Sequence, residues 1–263
     1  MDTTSISGLW GRVFGTQPEP DLWLVVVSGL VALAAVGPHR VWRLSRNAVT
    51  IAHEGGHGLV ALLTGRRLDG IRLHSDTSGL TVSRGKPHGV GMVLTAAAGY
   101  TAPPLLGLGG AWLLSADRIT ALLWGATALL LAMLVMIRNA YGVLTVVVAG
   151  GAFLLVSWLT GPQVQAAFAY GVVWFLLLGG VRPVFELQAK RRRTRGAPAP
   201  EPAAQGASWP VAGAMPGRRT AAGDSDVDQL ARLTHAPPAL WLLLFHAVSI
   251  CSLLGGGRWL LAL

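Results

Sequence analysis

The feature that most restricts how this chain can fold is a series of apolar segments, each about as long as a membrane-crossing helix. An α-helix needs roughly 20 predominantly apolar residues to cross a bilayer. The predicted spans are residues 22–37, 47–65, 89–115, 119–137, 140–160, 164–181 and 238–262. Charged residues make up only 13% of the chain, whereas soluble domains contain about a quarter. The sequence therefore predicts an all-α polytopic membrane protein with about six or seven transmembrane helices.

Two stretches between these segments have a different character. Residues 68–86 alternate apolar and polar side chains around a Ser-Asp-Thr-Ser-Gly turn sequence, which predicts a small β-hairpin. Residues 190–225 open with a basic run and continue through Pro, Ala, Gly and Ser, which predicts a basic, flexible loop on the cytoplasmic side. The predicted organisation is an N-terminal segment (1–21), a membrane domain (22–189), the basic loop (190–225) and a C-terminal segment with the last transmembrane helix (226–263).

The basic residues indicate membrane topology. The formal net charge is +9, but the positive side chains cluster in short connections and not along one helix face, so we expect no nucleic-acid partner. The positive-inside rule places the cluster at 190–195, Arg138 and the hairpin in the cytoplasm, together with the amino terminus. This topology leaves three arginines outside, against the same rule: Arg40, Arg43 and Arg46.

A short motif in the second predicted span carries the chemistry. His53-Glu54-Gly55-Gly56-His57 has the H-E-x-x-H spacing. Positions i and i+4 share one helix face, so both imidazoles can bind one zinc ion while Glu54 accepts a proton from a water molecule that zinc activates. A chance match arises on the order of once in several hundred such sequences, and burying three ionisable groups in an apolar helix without a purpose is unfavourable. The motif therefore predicts a hydrolytic zinc centre.

The motif supplies two zinc ligands, and a third has to come from elsewhere. A third histidine six residues after His57 is absent, because position 63 is leucine. Two glutamates are poorly placed, since Glu186 ends a span beside the basic loop and Glu201 lies in a Pro-Ala linker. An aspartate is the more plausible third ligand.

Several further features accompany the motif. The hairpin follows it directly, Ala98-Gly99-Tyr100 and Pro103 lie in the next helix, Arg138-Asn139 precede Gly142, and Ser225-Asp226 precede Leu230-Ala231, Thr234 and a Trp-containing last helix. Together these features resemble the site-2 protease family of intramembrane zinc metalloproteases, and especially its short bacterial branch. The resemblance covers most of the chain except the first span and residues 190–222, and it implies a zinc-protease core at 47–181.

The resemblance also implies roles for individual residues. His53 and His57 would be zinc ligands, Glu54 the general base, and an aspartate the third ligand. The family's Asn-Pro-x-x-Asp-Gly type segment is absent here. We favour Asp226, which leads into the last span on the same predicted side as the end of the second helix; the alternative is that it starts a solvated helix. Asn139 is the competitor, either as a weak ligand or as a group that binds substrate or polarises its carbonyl.

The predicted function is cleavage of a membrane protein substrate by a zinc metalloendopeptidase with Zn²⁺ as cofactor. We expect a multi-pass protein in the lipid bilayer of a cell membrane, by resemblance a bacterial plasma membrane. The exposed edge of the hairpin would hold an extended substrate, and Gly55-Gly56 would let its backbone approach the metal. The alternatives are a catalytically silent member of the same family and a metal-binding channel or transporter-like protein. Glu54 favours the enzyme, because a structural zinc site needs no base.

Overall fold

The computed structural model describes residues 11, 13–196 and 225–263. That part of the chain contains eight named helices and one two-stranded hairpin. The helices are α1 (Leu22–Val36), α2 (His39–Leu63), α3 (Val90–Ser115), α4 (Ile119–Met136), α5 (Ala140–Leu159), α6 (Pro162–Gly196), α7 (Asp226–Thr234) and α8 (Pro238–Leu260); the strands β1 (Arg67–Leu73) and β2 (Gly79–Arg84) lie between α2 and α3.

The long apolar helices confirm the predicted polytopic membrane fold. Five of them, α3, α4, α5, α6 and α8, are each long and apolar enough to cross a membrane. Helices α1 and α2 meet this criterion only as a pair, and the pair is bent by 104°. The predicted spans 22–37 and 47–65 therefore belong to one bent unit, and the described residues contain five candidate crossings, or six if the bent pair is counted as one span. The bend follows from Gly37-Pro38 between the two helices, since proline cannot continue the hydrogen bonding of α1.

The bend is held in place by Arg182 of α6. The guanidinium group donates hydrogen bonds to the carbonyl oxygens of Val36 and Gly37, the second at 2.7 Å. The same group lies 5.0 Å from the ring centre of Trp42 and donates to the Glu186 carboxylate at 3.0 Å. An arginine on a distant helix therefore caps the carboxyl end of α1 and sets the direction in which α2 leaves.

The contacts of α6 place the amino-terminal segment and the bend along its length. Near its start, Gln165 accepts a hydrogen bond from the side chain of Gln17, whose backbone N–H bonds to the Asp117 carbonyl at the α3–α4 turn. In its middle third, α6 holds the α1–α2 bend through Arg182. The membrane side of the amino terminus stays a prediction.

Three arginines stand against the positive-inside rule in the predicted topology, and all three lie in the first turns of α2: Arg40, Arg43 and Arg46. One of them approaches α6, because Arg46 Nη1 lies 3.8 Å from Glu186 Oε2.

Helix α6 also reaches further than its predicted span of 164–181. It continues to Gly196, so the basic run begins within a helix and the predicted loop boundary at 190 lies seven residues too early. Lysine and arginine are good helix formers, and positive charge is favourable near the carboxyl end of a helix. Residues 197–224 of the predicted loop lie outside the described residues.

The predicted hairpin is present and is antiparallel. Its register pairs Arg67 with Arg84 and Leu73 with Gly79, with a bulge between Leu68 and Gly70. Alternate apolar side chains of β1 pack with α2, α4 and α5, so the hairpin is fastened to the helices on one side. Among the described residues, β2 pairs only with β1, and its outer edge faces the cleft beside α2.

Helix α7 is short, and apolar contacts pack it against its neighbours. The side chains of Val227 and Leu230 are fully buried among residues of α3, α6 and α8. These contacts fix the first residue of α7, Asp226, over the middle of α2.

Candidate metal centre

Helix α2 places the two motif histidines one turn apart on one face. The Nε2 atoms of His53 and His57 lie 3.2 Å from each other. The rings meet edge to face, with an interplanar angle of 84°. This arrangement follows from the helical repeat, which puts residues i and i+4 on the same side.

Asp226 completes a cluster with these histidines. Its Oδ2 atom lies 3.2 Å from His53 Nε2 and 3.4 Å from His57 Nε2. One atom from each of the three side chains lies within 4.8 Å of the others. Burial alone would raise the pKa of the Asp226 carboxyl, but the hydrogen bonds with the two imidazoles hold that pKa well below its usual range. The carboxylate is therefore negatively charged, as a metal ligand must be.

The surroundings of His57 suit a metal ligand as well. Its Nδ1 atom lies 2.7 Å from the carbonyl oxygen of Thr95 in α3. A carbonyl can only accept, so Nδ1 carries a proton, and Nε2 is the ring nitrogen that faces the cluster. Backbone carbonyls commonly hold metal-binding histidines in this tautomer. Two imidazole nitrogens and one carboxylate oxygen around a common point form a donor set that zinc accepts.

Helix α3 lies directly against the two imidazoles at Gly99. A methyl group built on Gly99 would lie 2.5 Å from His53 Nε2 and closer still to His57 Nε2, so only glycine leaves room for both rings. In the sequence, Gly99 belongs to the resemblance but has no assigned role; its position in a run of small residues is the signal that could have indicated one.

Gly56 faces the same helix. A methyl group there would collide with the Ala102 side chain and lie 3.0 Å from the Ala98 carbonyl oxygen. Its missing side chain therefore allows α2 and α3 to pack closely. The prediction that Gly55-Gly56 admit substrate backbone receives no support at Gly56, because that position is filled by α3.

Glu54 lies under the hairpin. Its side chain is buried, and its Oε2 atom accepts a hydrogen bond of 2.7 Å from the Thr81 hydroxyl of β2. The same hydroxyl lies 3.2 Å from the Glu54 carbonyl oxygen. A methyl group on Gly79 would lie 2.5 Å from Glu54 Oε1. The hairpin therefore fixes the direction of the Glu54 carboxylate, a role for Thr81 and Gly79 that the sequence analysis did not identify.

These residues border an open cavity of about 420 Å³. Its walls include residues of α2, β2, α3, α6 and α7. The three residues of the cluster and Glu54 are among them: His53, Glu54, His57 and Asp226. Among the described residues that line the cavity, Arg46 is the only lysine or arginine. Residues of β2 and the His-His-Asp cluster therefore line the same cavity.

Asn139 occupies a different position. Its side-chain oxygen accepts a hydrogen bond of 3.1 Å from the Leu73 N–H, and its amide nitrogen donates to the Leu73 carbonyl at 2.6 Å. The side chain thus pairs with the end of β1 as a neighbouring strand would. Asn139 is not in the described lining of the cavity. This geometry favours anchoring of the hairpin, and the predicted ligand or substrate role remains a prediction.

The fold and the cluster together define a multi-pass α-helical membrane protein with a His-His-Asp group whose donors suit a metal ion. The family model described as Peptidase M50B-like matches residues 26–256. The chain therefore belongs to the Peptidase M50B-like family, a site-2 protease family, which confirms the resemblance drawn from the sequence. No curated protein and no solved structure matches the chain.

Proposed function

We propose that this protein is an intramembrane zinc metalloprotease that hydrolyses a peptide bond of a membrane-embedded substrate. The observation that carries the proposal is the meeting of His53, His57 and Asp226, with the buried carboxylate of Glu54 beside them. Membership of a peptidase family supports the same reaction class.

Each residue has a distinct part in this reaction. His53, His57 and Asp226 would hold the zinc ion through Nε2, Nε2 and Oδ2. Zinc supplies Lewis acidity and lowers the pKa of water from about 16 to about 7. Glu54 accepts the proton of the attacking water and transfers it to the leaving amine. The Thr81 hydroxyl holds the Glu54 carboxylate in place at 2.7 Å for both transfers.

The hairpin supports the handling of an extended substrate. A helical substrate hides its carbonyl groups in hydrogen bonds, so it has to unwind before hydrolysis. The edge of β2 borders the cavity through Gly79, Leu80 and Thr81, and a strand edge binds extended peptides through main-chain hydrogen bonds. Proline substitutions in β2 should lower cleavage without lowering zinc content, and unchanged cleavage would contradict this role.

The charge distribution supports a cytoplasmic position for the centre, and the resemblance to the short bacterial branch supports a bacterial plasma membrane. The hairpin, the first turns of α2 and the second half of α6 carry most of the described lysines and arginines. The centre lies near these segments, since Arg46, Thr81 and Pro183 border its cavity. Positive charge of this kind marks the cytoplasmic side.

Metal analysis of detergent-purified protein tests the proposal. We expect stoichiometric zinc in the wild type and in Glu54→Gln, and strongly reduced zinc in His53→Ala and Asp226→Ala. Glu54→Gln is the matched control, because it removes the base and leaves the ligands. Zinc that persists in Asp226→Ala would refute the assignment of the third ligand.

An activity measurement separates the enzyme from its alternatives. We would reconstitute the wild type and Glu54→Gln with single-span model peptides and read cleavage by mass spectrometry. Cleavage by the wild type alone supports the protease. Zinc binding without any cleavage favours a silent family member, and zinc uptake into vesicles favours a channel or transporter-like protein.

A further inference from the structure

We propose that Arg191 is a positioning residue for the Asp226 ligand, and that it acts through the amino-terminal cap of α7. The proposal rests on the function proposed above, because it assigns a role toward the same metal centre. The positive-inside rule explains the basic run as a group, whereas this proposal gives Arg191 a role that the other residues of the run do not share.

The contact between α6 and the start of α7 is specific. Arg191 Nη1 lies 2.6 Å from Asp228 Oδ1 and donates to the Ser225 hydroxyl at 3.3 Å. The side chains of Arg191 and Asp228 are largely shielded from solvent, with relative exposures of 18% and 28%. Charge-assisted hydrogen bonds of this kind are stronger than those between neutral groups.

Asp228 in turn fixes the cap of α7. Its Oδ2 atom accepts hydrogen bonds from the Ser225 hydroxyl at 2.6 Å and from the Ser225 N–H at 3.2 Å. In the other direction, the Asp228 N–H donates to the Ser225 carbonyl oxygen at 2.8 Å. The arrangement resembles a capping box, in which the side chain of residue N3 accepts from the backbone N–H of the Ncap residue. Arg191 therefore contacts both residues of the helix cap, Ser225 and Asp228.

Helix geometry connects this cap to the metal ligand. Asp226 lies between Ser225 and Asp228 and is the first residue of α7. Residues two positions apart in an α-helix point about 200° away from each other. Asp228 points to α6 while Asp226 points to His53 and His57 on α2. Any rotation of the first turn of α7 that breaks the contact with Arg191 also swings the Asp226 carboxylate away from the histidines.

Apolar and polar contacts together hold α7 against its neighbours. Val227 and Leu230 are buried against α3, α6 and α8, and they hold the apolar face of the helix. The polar contacts of Ser225 and Asp228 hold its beginning, where the ligand lies. Metal affinity is sensitive to such outer contacts, whose removal typically lowers it about 10- to 100-fold.

The test is the zinc dissociation constant of the full-length protein in detergent, measured by competition with a chelator. We expect Arg191→Gln to weaken zinc binding about 10- to 100-fold and Arg191→Lys to recover most of the affinity. The matched control is Arg192→Gln, which removes the same charge from the exposed neighbouring residue and should change affinity by no more than about twofold. Asp228→Asn should reproduce the loss, and combining it with Arg191→Gln should add little, since the two residues share one network.

A second background shows whether the effect passes through Asp226. In Asp226→Ala protein, Arg191→Gln should have no further effect on zinc binding. The proposal is overturned if Arg191→Gln binds zinc as the wild type does, or if it weakens binding equally in the Asp226→Ala background. A wild type that binds no zinc would instead refute the proposed function itself.

Discussion

Gly99→Ala is the substitution for which the structure makes the sharpest expectation. The new methyl carbon would lie 2.5 Å from His53 Nε2 and closer to His57 Nε2, whereas ordinary van der Waals contact begins at 3.4 Å. Both imidazoles, or helix α3, must therefore move by about 1 Å, a displacement that close-packed interiors resist. The atoms that must move are the two proposed ligand atoms.

The expected magnitude follows from the tolerance of a zinc site. Ligand distances in such sites vary by only about 0.2 Å, so a shift of about 1 Å removes at least one imidazole from coordination. We expect zinc affinity to fall about 100-fold, the upper end of the range for perturbed metal sites. The metal-free protein should change little, because overpacking costs about 1–3 kcal/mol and alanine gains about 1 kcal/mol over glycine within a helix.

Gly109→Ala is the matched control, since Gly109 lies on the same helix and a methyl group there meets nothing within 4 Å. It should bind zinc as the wild type does. The measurement is chelator competition for zinc affinity together with thermal unfolding of the metal-free protein. Equal zinc affinity in Gly99→Ala and Gly109→Ala would refute the reasoning, because it would show that α3 does not press on the histidines.

Three further expectations concern the base, the bend and the metal. Thr81→Val should lower kcat about tenfold with zinc content unchanged, because it removes a hydrogen bond to the Glu54 carboxylate. Thr81→Ser keeps the hydroxyl and should keep kcat near that of the wild type. Kinetics together with metal analysis test this, and an unchanged kcat in Thr81→Val would contradict the role of Thr81. Arg182→Met should lower the free energy of unfolding by about 3 kcal/mol, because it removes charged hydrogen bonds to the carbonyl oxygens of Val36 and Gly37 in the bend. Denaturant unfolding in detergent measures this free energy. A loss below about 0.5 kcal/mol would contradict the role of Arg182. Removal of zinc with a chelator should abolish cleavage and added zinc should restore it; activity that survives complete zinc removal argues against metal catalysis.

The parts of the fold that could be predicted depend on neighbours in sequence. The hairpin follows from alternating side chains and a turn sequence within 68–86; β1 begins one residue before that range, and β2 lies within it. The shared face of His53 and His57 follows from their spacing of four residues. Local periodicity fixes both features before any distant contact forms.

The bend between α1 and α2 shows where such reasoning stops. Apolar length alone predicted two crossings at 22–37 and 47–65, whereas α1 and α2 are long and apolar enough for a crossing only as a bent pair. The direction of α2 depends on Arg182, which lies far away in the chain. A hydropathy pattern holds no information about which distant side chain caps a helix end.

By itself, the sequence determined that this chain is a multi-pass helical membrane protein and that two histidines and a glutamate share one segment. Its apolar lengths and helical spacing are sufficient for both conclusions. The tertiary structure decided that Asp226 meets the histidines, that Gly99 makes room for them and that Thr81 holds Glu54. These contacts join α2 to α3, α7 and β2, and contacts between separate elements depend on how those elements pack in three dimensions.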